Sequence, residues 1–118
     1  MRFIHLIQLD SRAYDARPLE FRQEIDRRAL AKNAELEARG IMVHAEALQS
    51  PDTAVLVRVR DGRVSVTDGP YMETKEQLAG LVLIDVADMA EAVAVAGEDP
   101  LGEVGTIEVR PVYEIPGS

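Results

Sequence analysis

Apolar and polar residues change their spacing several times along the chain, and each change marks an element. From Phe3 to Leu9 large and β-branched apolar residues dominate, and a polar stretch with Asp10, Ser11 and Asp15 follows, which predicts a strand ending in a loop. Arg17-Pro18 opens a helix, because a proline at the first helical position gives up an N–H that has no partner there. Phe21, Ile25, Ala29 and Leu36 share one helical face, Glu20, Glu24, Lys32 and Glu35 are directed elsewhere, and Gly40 is the stop. Ile41–Ala47 reads as a second strand, Ser50-Pro51-Asp52 as a turn, and Ala54–Arg60 as a third strand. In that third strand Val55, Val57 and Val59 alternate with Leu56, Arg58 and Arg60, the pattern of a half-exposed strand. Asp61-Gly62 then predicts a two-residue hairpin turn with both residues at positive φ.

The second half repeats the alternation of strand and helix. Asp68–Ala79 breaks the strand pattern and reads as an ordered excursion, with Thr74 and Gln77 able to cap a short helical turn. Gly80–Val86 is nearly continuous apolar sequence, suited to a central strand covered on both faces. Asp88 and Glu91 form a capping box for a helix whose stripe is Met89, Ala92, Val93 and Ala96 and which ends at Gly97. Glu98-Asp99-Pro100 connects to a last strand, Thr106–Tyr113, where Ile107 and Val109 alternate with Glu108 and Arg110, and residues 114–118 read as a flexible tail. The order is that of an α+β, ferredoxin-like βαββαβ domain with one added hairpin strand, expected as a single domain over residues 1–118. Both helices would cover one sheet face. Apolar residues on the other face would need a cover, and a second copy is the simplest, so a homodimer is expected.

Composition narrows the partners. With 21 acidic against 13 basic residues the net charge is −8, which argues against nucleic acid as a partner. The absence of cysteine removes disulfides, thiolate metal sites and a thiol nucleophile. No apolar stretch approaches the roughly 20 residues of a membrane span, and the N-terminal apolar run is short and interrupted by His5 and Gln8. No membrane association and a cytoplasmic location are therefore expected. His-x-His, HExxH, EF-hand, phosphate-loop, dinucleotide and nucleophile-elbow spacings are missing, so no metal and no cofactor are expected.

Few residues remain to carry chemistry. His5 shares its strand face with Phe3 and Ile7, so it faces either a core, as a hydrogen-bonded structural histidine, or a cleft, as an acid–base group; His44 reads as structural. Asp68, Tyr71, Glu73 and Lys75 crowd into the irregular segment, where they offer an acceptor, an aromatic hydroxyl and a cation to a small polar or aromatic metabolite. The same four residues also suit a loop that merely turns the chain, plugs an apolar gap and solvates its charges.

The run from Val66 to Gly80, with Asp68-Gly69-Pro70-Tyr71-Met72-Glu73-Thr74-Lys75 at its centre, resembles the signature of the DGPF subgroup of YCII-related proteins, with Tyr71 where phenylalanine is typical. Gly40-Ile41, Val57-Arg58, Asp61-Gly62-Arg63 and Ile107-Glu108-Val109-Arg110-Pro111-Val112 agree with it, so the resemblance covers nearly the whole chain. It implies a dimeric α/β barrel built from two ferredoxin-like subunits, each with a cleft between sheet and helix. The wider family includes a dehydrochlorinase-like member and carries a histidine–aspartate pair proposed as an active site. Asp99-Pro100-Leu101 resembles the Asp-Pro-aromatic motif of that pair with the aromatic replaced, whereas the histidine expected near the first helix is absent and Glu20 stands in its region. The resulting expectation is a small-metabolite domain, lyase- or isomerase-like if it is an enzyme, with His5 and Asp99 as catalytic residues and Asp68, Tyr71, Glu73 and Lys75 as binding residues. The alternative, from the association of some DGPF proteins with extracytoplasmic-function sigma factors, is a non-catalytic sensor or partner module of such a regulator.

Overall fold

The computed structural model describes residues 1–118. Its strands are β1 (Arg2–Leu9), β2 (Met42–Ala47), β3 (Val55–Arg60), β4 (Arg63–Asp68), β5 (Gln77–Asp85) and β6 (Thr106–Pro111), and its helices are α1 (Ser11–Asp15), α2 (Leu19–Ala38) and α3 (Met89–Gly97). Four strands form one antiparallel sheet in the order β2-β5-β1-β6, while β3 and β4 form a separate two-stranded sheet. This is a mixed α+β architecture compatible with a ferredoxin-like fold.

Strict alternation in β1 sends Phe3, His5, Ile7 and Leu9 to the helix side and Ile4, Leu6 and Gln8 to the other. The register puts Val82 beside His5 and Ile84 beside Phe3, so these side chains form the floor of the core. Leu36 of α2 and Ala92 and Val95 of α3 close it from above. The two longer helices, α2 and α3, therefore cover one face, as expected. On the far face Leu81 and Leu83 of β5 line up with Leu6 and Ile4 of β1 and are only half-buried, so the central strand β5 is covered on one side rather than two.

Local chemistry explains several boundaries. Asp61 and Gly62 both hold positive φ, 51° and 73°, as the hairpin turn requires. Asp88 accepts from the Glu91 N–H at 2.9 Å and Glu91 reaches back to the Ala87 N–H at 2.9 Å, so α3 has its capping interactions. Asp88→Ala is expected to cost about 1 kcal/mol in a chemical denaturation curve, and no change would show that the cap is dispensable.

Five further expectations need correction. The polar stretch after β1 is not a plain loop: Asp10 accepts from the Ala13 N–H at 3.1 Å and caps the short helix α1. Lys32 does not point away from the sheet; it shares the buried side of α2 with Ile25 and Leu36, and its stem lies under the helix while its ammonium reaches Glu35 and Glu98. In α3 the buried residues are Ala92, Val95 and Ala96, whereas Met89 and Val93 are largely exposed, because the short helix meets the sheet on a face rotated from the predicted stripe. Thr74 caps no helical turn; the Gln77 amide instead ties the loop by donating to the carbonyls of Met72 and Thr74, the latter at 2.9 Å. The hairpin adds no strand to the main sheet. It projects as an arm, with Val55, Val57 and Val59 exposed rather than half-buried.

Candidate functional site

Between α2 and the sheet lies a cleft of about 600 Å³. Its origin is the choice of small residues on facing elements. Ile25 and Leu36 are the side chains that α2 buries, and between them the helix presents Ala29 and Asn33 to Ala45, Ala47 and Gly80 of the sheet. None of these can span the gap between layers, so a space persists that larger side chains would have filled. Ile7, Leu9 and Val82 supply the apolar floor.

Polar groups stand around this floor. The Tyr14 hydroxyl lies 3.3 Å from Asp26 Oδ1 and 3.3 Å from the Arg22 carbonyl oxygen, which links α1 to α2 at one end of the cleft. Burial, reinforced by the charge of Asp26, pushes the Tyr14 phenol above its ordinary value, so it stays a neutral donor. Asp99 and Leu101 line the cleft where the chain leaves α3. Asp99 accepts from the Leu101 N–H at 2.9 Å, capping the 3-10 turn Pro100–Glu103. Burial pushes its carboxyl above the usual range, partly offset by that N–H and by the charges of His5 and Lys32. Ion pairs of Lys32 and Arg39 with Glu98, each at 3.4 Å, and of Arg28 with Glu103, hold α2 against this connection and fix the position of Asp99.

His5 lies beneath the cleft rather than in its lining. It is 1% exposed, and its Nε2 is 2.9 Å from the Ala92 carbonyl oxygen. A carbonyl can only accept, so the neutral ring carries its proton on Nε2 and leaves the Nδ1 lone pair free. Burial lowers its pKa below 6.5, opposed by the Ala92 bond and by Asp99. His5 and Asp99 thus feel each other electrostatically, each favouring the charged form of the other.

The loop residues are distributed differently. Glu73 and Lys75 line a second chamber of about 540 Å³, rich in charged and polar side chains, which shares Ser11, Ser50 and Pro51 with the cleft. Asp68 ends β4 and Tyr71 is 76% exposed; neither lines either cavity. His44 is exposed on β2, 3.0 Å from Glu46. Tyr14, Asp26 and Asn33 are site residues that no motif or spacing singles out. The signal available for them is the interruption of the α2 apolar stripe at Ala29, Lys32 and Asn33, in the middle of a helix that is otherwise held at Ile25 and Leu36. No group of three or more His, Asp or Glu side chains is arranged to hold a metal ion.

An antiparallel four-stranded sheet with α2 and α3 on one face and a cleft between helix and sheet defines a small α+β, ferredoxin-like protein. The YCII-related domain matches residues 1–116, and the chain belongs to that family. It is also 43% identical over 61 residues to an uncharacterised protein of Rhizobium meliloti (strain 1021), a stretch that covers 50% of this chain and 49% of that protein. The similarity therefore spans about half the length of that relative.

Proposed function

We propose that the chain binds, and by proton transfer transforms, a small metabolite with an apolar or aromatic body in the cleft between α2 and the sheet. The observation that supports this reading is the cleft itself: its volume of about 600 Å³ is that of a ligand site, its floor is apolar, and one end holds the half-buried carboxyl Asp99 backed by His5. Asp99 is the group that meets the ligand, and His5 modulates it from behind. With its affinity for protons raised by burial, Asp99 is suited to give or take a proton at a carbon or oxygen atom held over Val82 and Leu101. Glu73 and Lys75 in the adjoining chamber would meet a polar end of the ligand at the mouth.

The lining charges select among ligands. Asp15, Asp26, Glu46 and Asp99 line the cleft, and no lysine, arginine or histidine does. An anion placed there would face uncompensated carboxylates, so the ligand is neutral or carries an amine. Titration of the protein with phenethylamine, phenethyl alcohol and hydrocinnamate, followed by amide chemical shifts, is expected to move Ala29, Ala45 and Leu101 most strongly with the amine, less with the alcohol and not with the carboxylate. Hydrocinnamate binding as well as the amine, or shifts confined to other surfaces, would overturn the reading. Asp99→Asn keeps an oxygen able to cap the Pro100–Glu103 turn, so once a substrate is in hand this variant is expected to lose turnover while remaining folded.

Within the family, the Asp68-Gly69-Pro70 segment followed by an aromatic residue supports assignment to the DGPF subgroup. The half-buried stripe Ile4, Leu6, Leu81 and Leu83, on the sheet face opposite the helices, supports a homodimer in which two such faces meet as an α/β barrel. No helix is long and apolar enough to cross a membrane.

A further inference from the structure

We propose that the cleft and the chamber beside it form one site for an α-amino acid with a long apolar side chain, an inference that rests on the cleft being a ligand site and deepens that reading by naming the substrate class. The two spaces, of about 600 and 540 Å³, meet along Ser11, Ser50 and Pro51, so a single ligand can occupy both. Their chemistry differs. The cleft is floored by Ile7, Leu9 and Val82 and takes an apolar body, whereas the chamber is bordered by two cations, Arg12 and Lys75, and three carboxylates, Asp10, Asp52 and Glu73. Asp10 is engaged in capping α1. Arg12, Asp52, Glu73 and Lys75 are exposed and make no ion pair within the chain, so both signs of charge stand free around the same space.

Both signs at once define the group that fits. A lone carboxylate would find Arg12 and Lys75 but would also face Asp52 and Glu73, and a lone amine would meet the converse. A zwitterion carries its ammonium and its carboxylate on one carbon and satisfies both pairs. Arg12 adds the planar fork that grips a carboxylate with two parallel bonds. The chamber is ordered before a ligand arrives. The Gln77 amide donates to the carbonyls of Met72 and Thr74, on either side of Glu73, and the Thr74 hydroxyl donates to the Glu76 carbonyl at 2.6 Å, so the backbone that carries Glu73 and Lys75 is held from both ends. The amino-acid group is therefore the handle of the ligand and not its reacting part. Held in the chamber, it directs the far end of the side chain past the shared wall toward Asp99, and its binding energy serves to position that end for proton transfer.

Amide chemical-shift titrations of the full chain with L-homophenylalanine, phenylpropylamine and phenylbutanoate test this, since the second and third are the first without its carboxylate and without its amine. L-Homophenylalanine is expected to move Ala29 and Ala45 in the cleft together with Ser11, Glu73 and Lys75 in the chamber. It is expected to bind roughly tenfold more tightly than phenylpropylamine, the scale of a few solvent-exposed charge contacts. Arg12→Gln/Lys75→Gln replaces two exposed side chains that have no ion-pair partner, and is expected to remove that advantage while leaving phenylpropylamine binding and the circular dichroism spectrum unchanged. Three results overturn the inference and leave the cleft standing as a ligand site: equal affinity for the amino acid and phenylpropylamine, an advantage that persists in Arg12→Gln/Lys75→Gln, or phenylbutanoate binding as tightly as the amino acid. Shifts with L-homophenylalanine that stay within the chamber, while phenylpropylamine moves Ala29 and Ala45, have the same meaning. Cleft amides that respond to none of the three ligands overturn both readings.

Discussion

His5→Ala is expected to lower the unfolding free energy by about 3 kcal/mol at neutral pH, from lost packing plus the lost hydrogen bond to the Ala92 carbonyl. The ring is among the largest fully buried side chains, with Phe3 and Ile84, so its removal opens a cavity in the core. It also removes the Nε2–H bond to the Ala92 carbonyl, which ties β1 to α3 in addition to the carbonyl's own place inside the helix. Equilibrium urea denaturation measures the loss, and a change below about 1 kcal/mol would show that neither packing nor the bond matters.

The same variant is expected to change the acid limb of stability. Because the folded His5 has a pKa below 6.5, the unfolded chain takes up a proton first as pH falls through 6.5. Stability contributed by the neutral ring is therefore present above pH 6.5 and declines from there down to the folded pKa of His5. His5→Ala removes that decline, leaving a flatter profile just below pH 6.5. Asp99 acts in the opposite sense: its folded pKa is raised, so its contribution is fully present below the ordinary value of 3.8 and is lost as pH rises through the folded pKa. The two windows approach each other from opposite ends of the acid range, and the difference between wild type and variant isolates the histidine part.

Gly105→Ala is expected to destabilise by about 3 kcal/mol, the upper part of the range for overpacking a dense site. A Cβ at that position would stand 2.2 Å from the Gln8 carbonyl oxygen and 2.6 Å from Leu9 Cδ2. The oxygen belongs to backbone that pairs with β6, where Gln8 faces Thr106, so it cannot retreat without opening the edge of the sheet. The strain would also reach the Pro100–Glu103 turn just before it and displace Asp99, so ligand shifts in the cleft should weaken together with stability. Gly97→Ala serves as the control: a methyl group there would meet nothing within 4 Å, and a change within about 0.5 kcal/mol is expected. Equal losses in both variants would show that the close approach at Gly105 is not the cause.

Much of the architecture is legible in the sequence because it depends on periodicity and short-range chemistry. Alternation in Phe3–Leu9, the Asp61-Gly62 turn and the Asp88–Glu91 cap all involve residues within a few positions of one another, and each is found where the pattern puts it, while the last strand, expected over Thr106–Tyr113, ends at Pro111. The placement of Lys32 is not legible, since a lysine on a helix is solvated in most settings and its burial here depends on Glu98 lying 66 positions along the chain. The exposure of the arm valines is hidden for the same reason: alternation states that β3 has an apolar face but not what that face meets.

The site divides along the same line. Asp99 can be singled out from its motif and His5 from its strand face, yet their mutual influence arises where β1 and the end of α3 converge, and Tyr14 and Asp26 meet across a helix corner whose short first helix no periodicity marks. The family, the succession of strands along the chain and the side of β1 that turns inward follow from the sequence, because hydrophobic burial acts on local pattern. Only the tertiary structure decided that small residues on α2 and on the sheet face each other and leave a cleft, and that the hairpin stands apart, because a cavity and an uncovered surface are properties of the distance between elements and no local pattern encodes that distance.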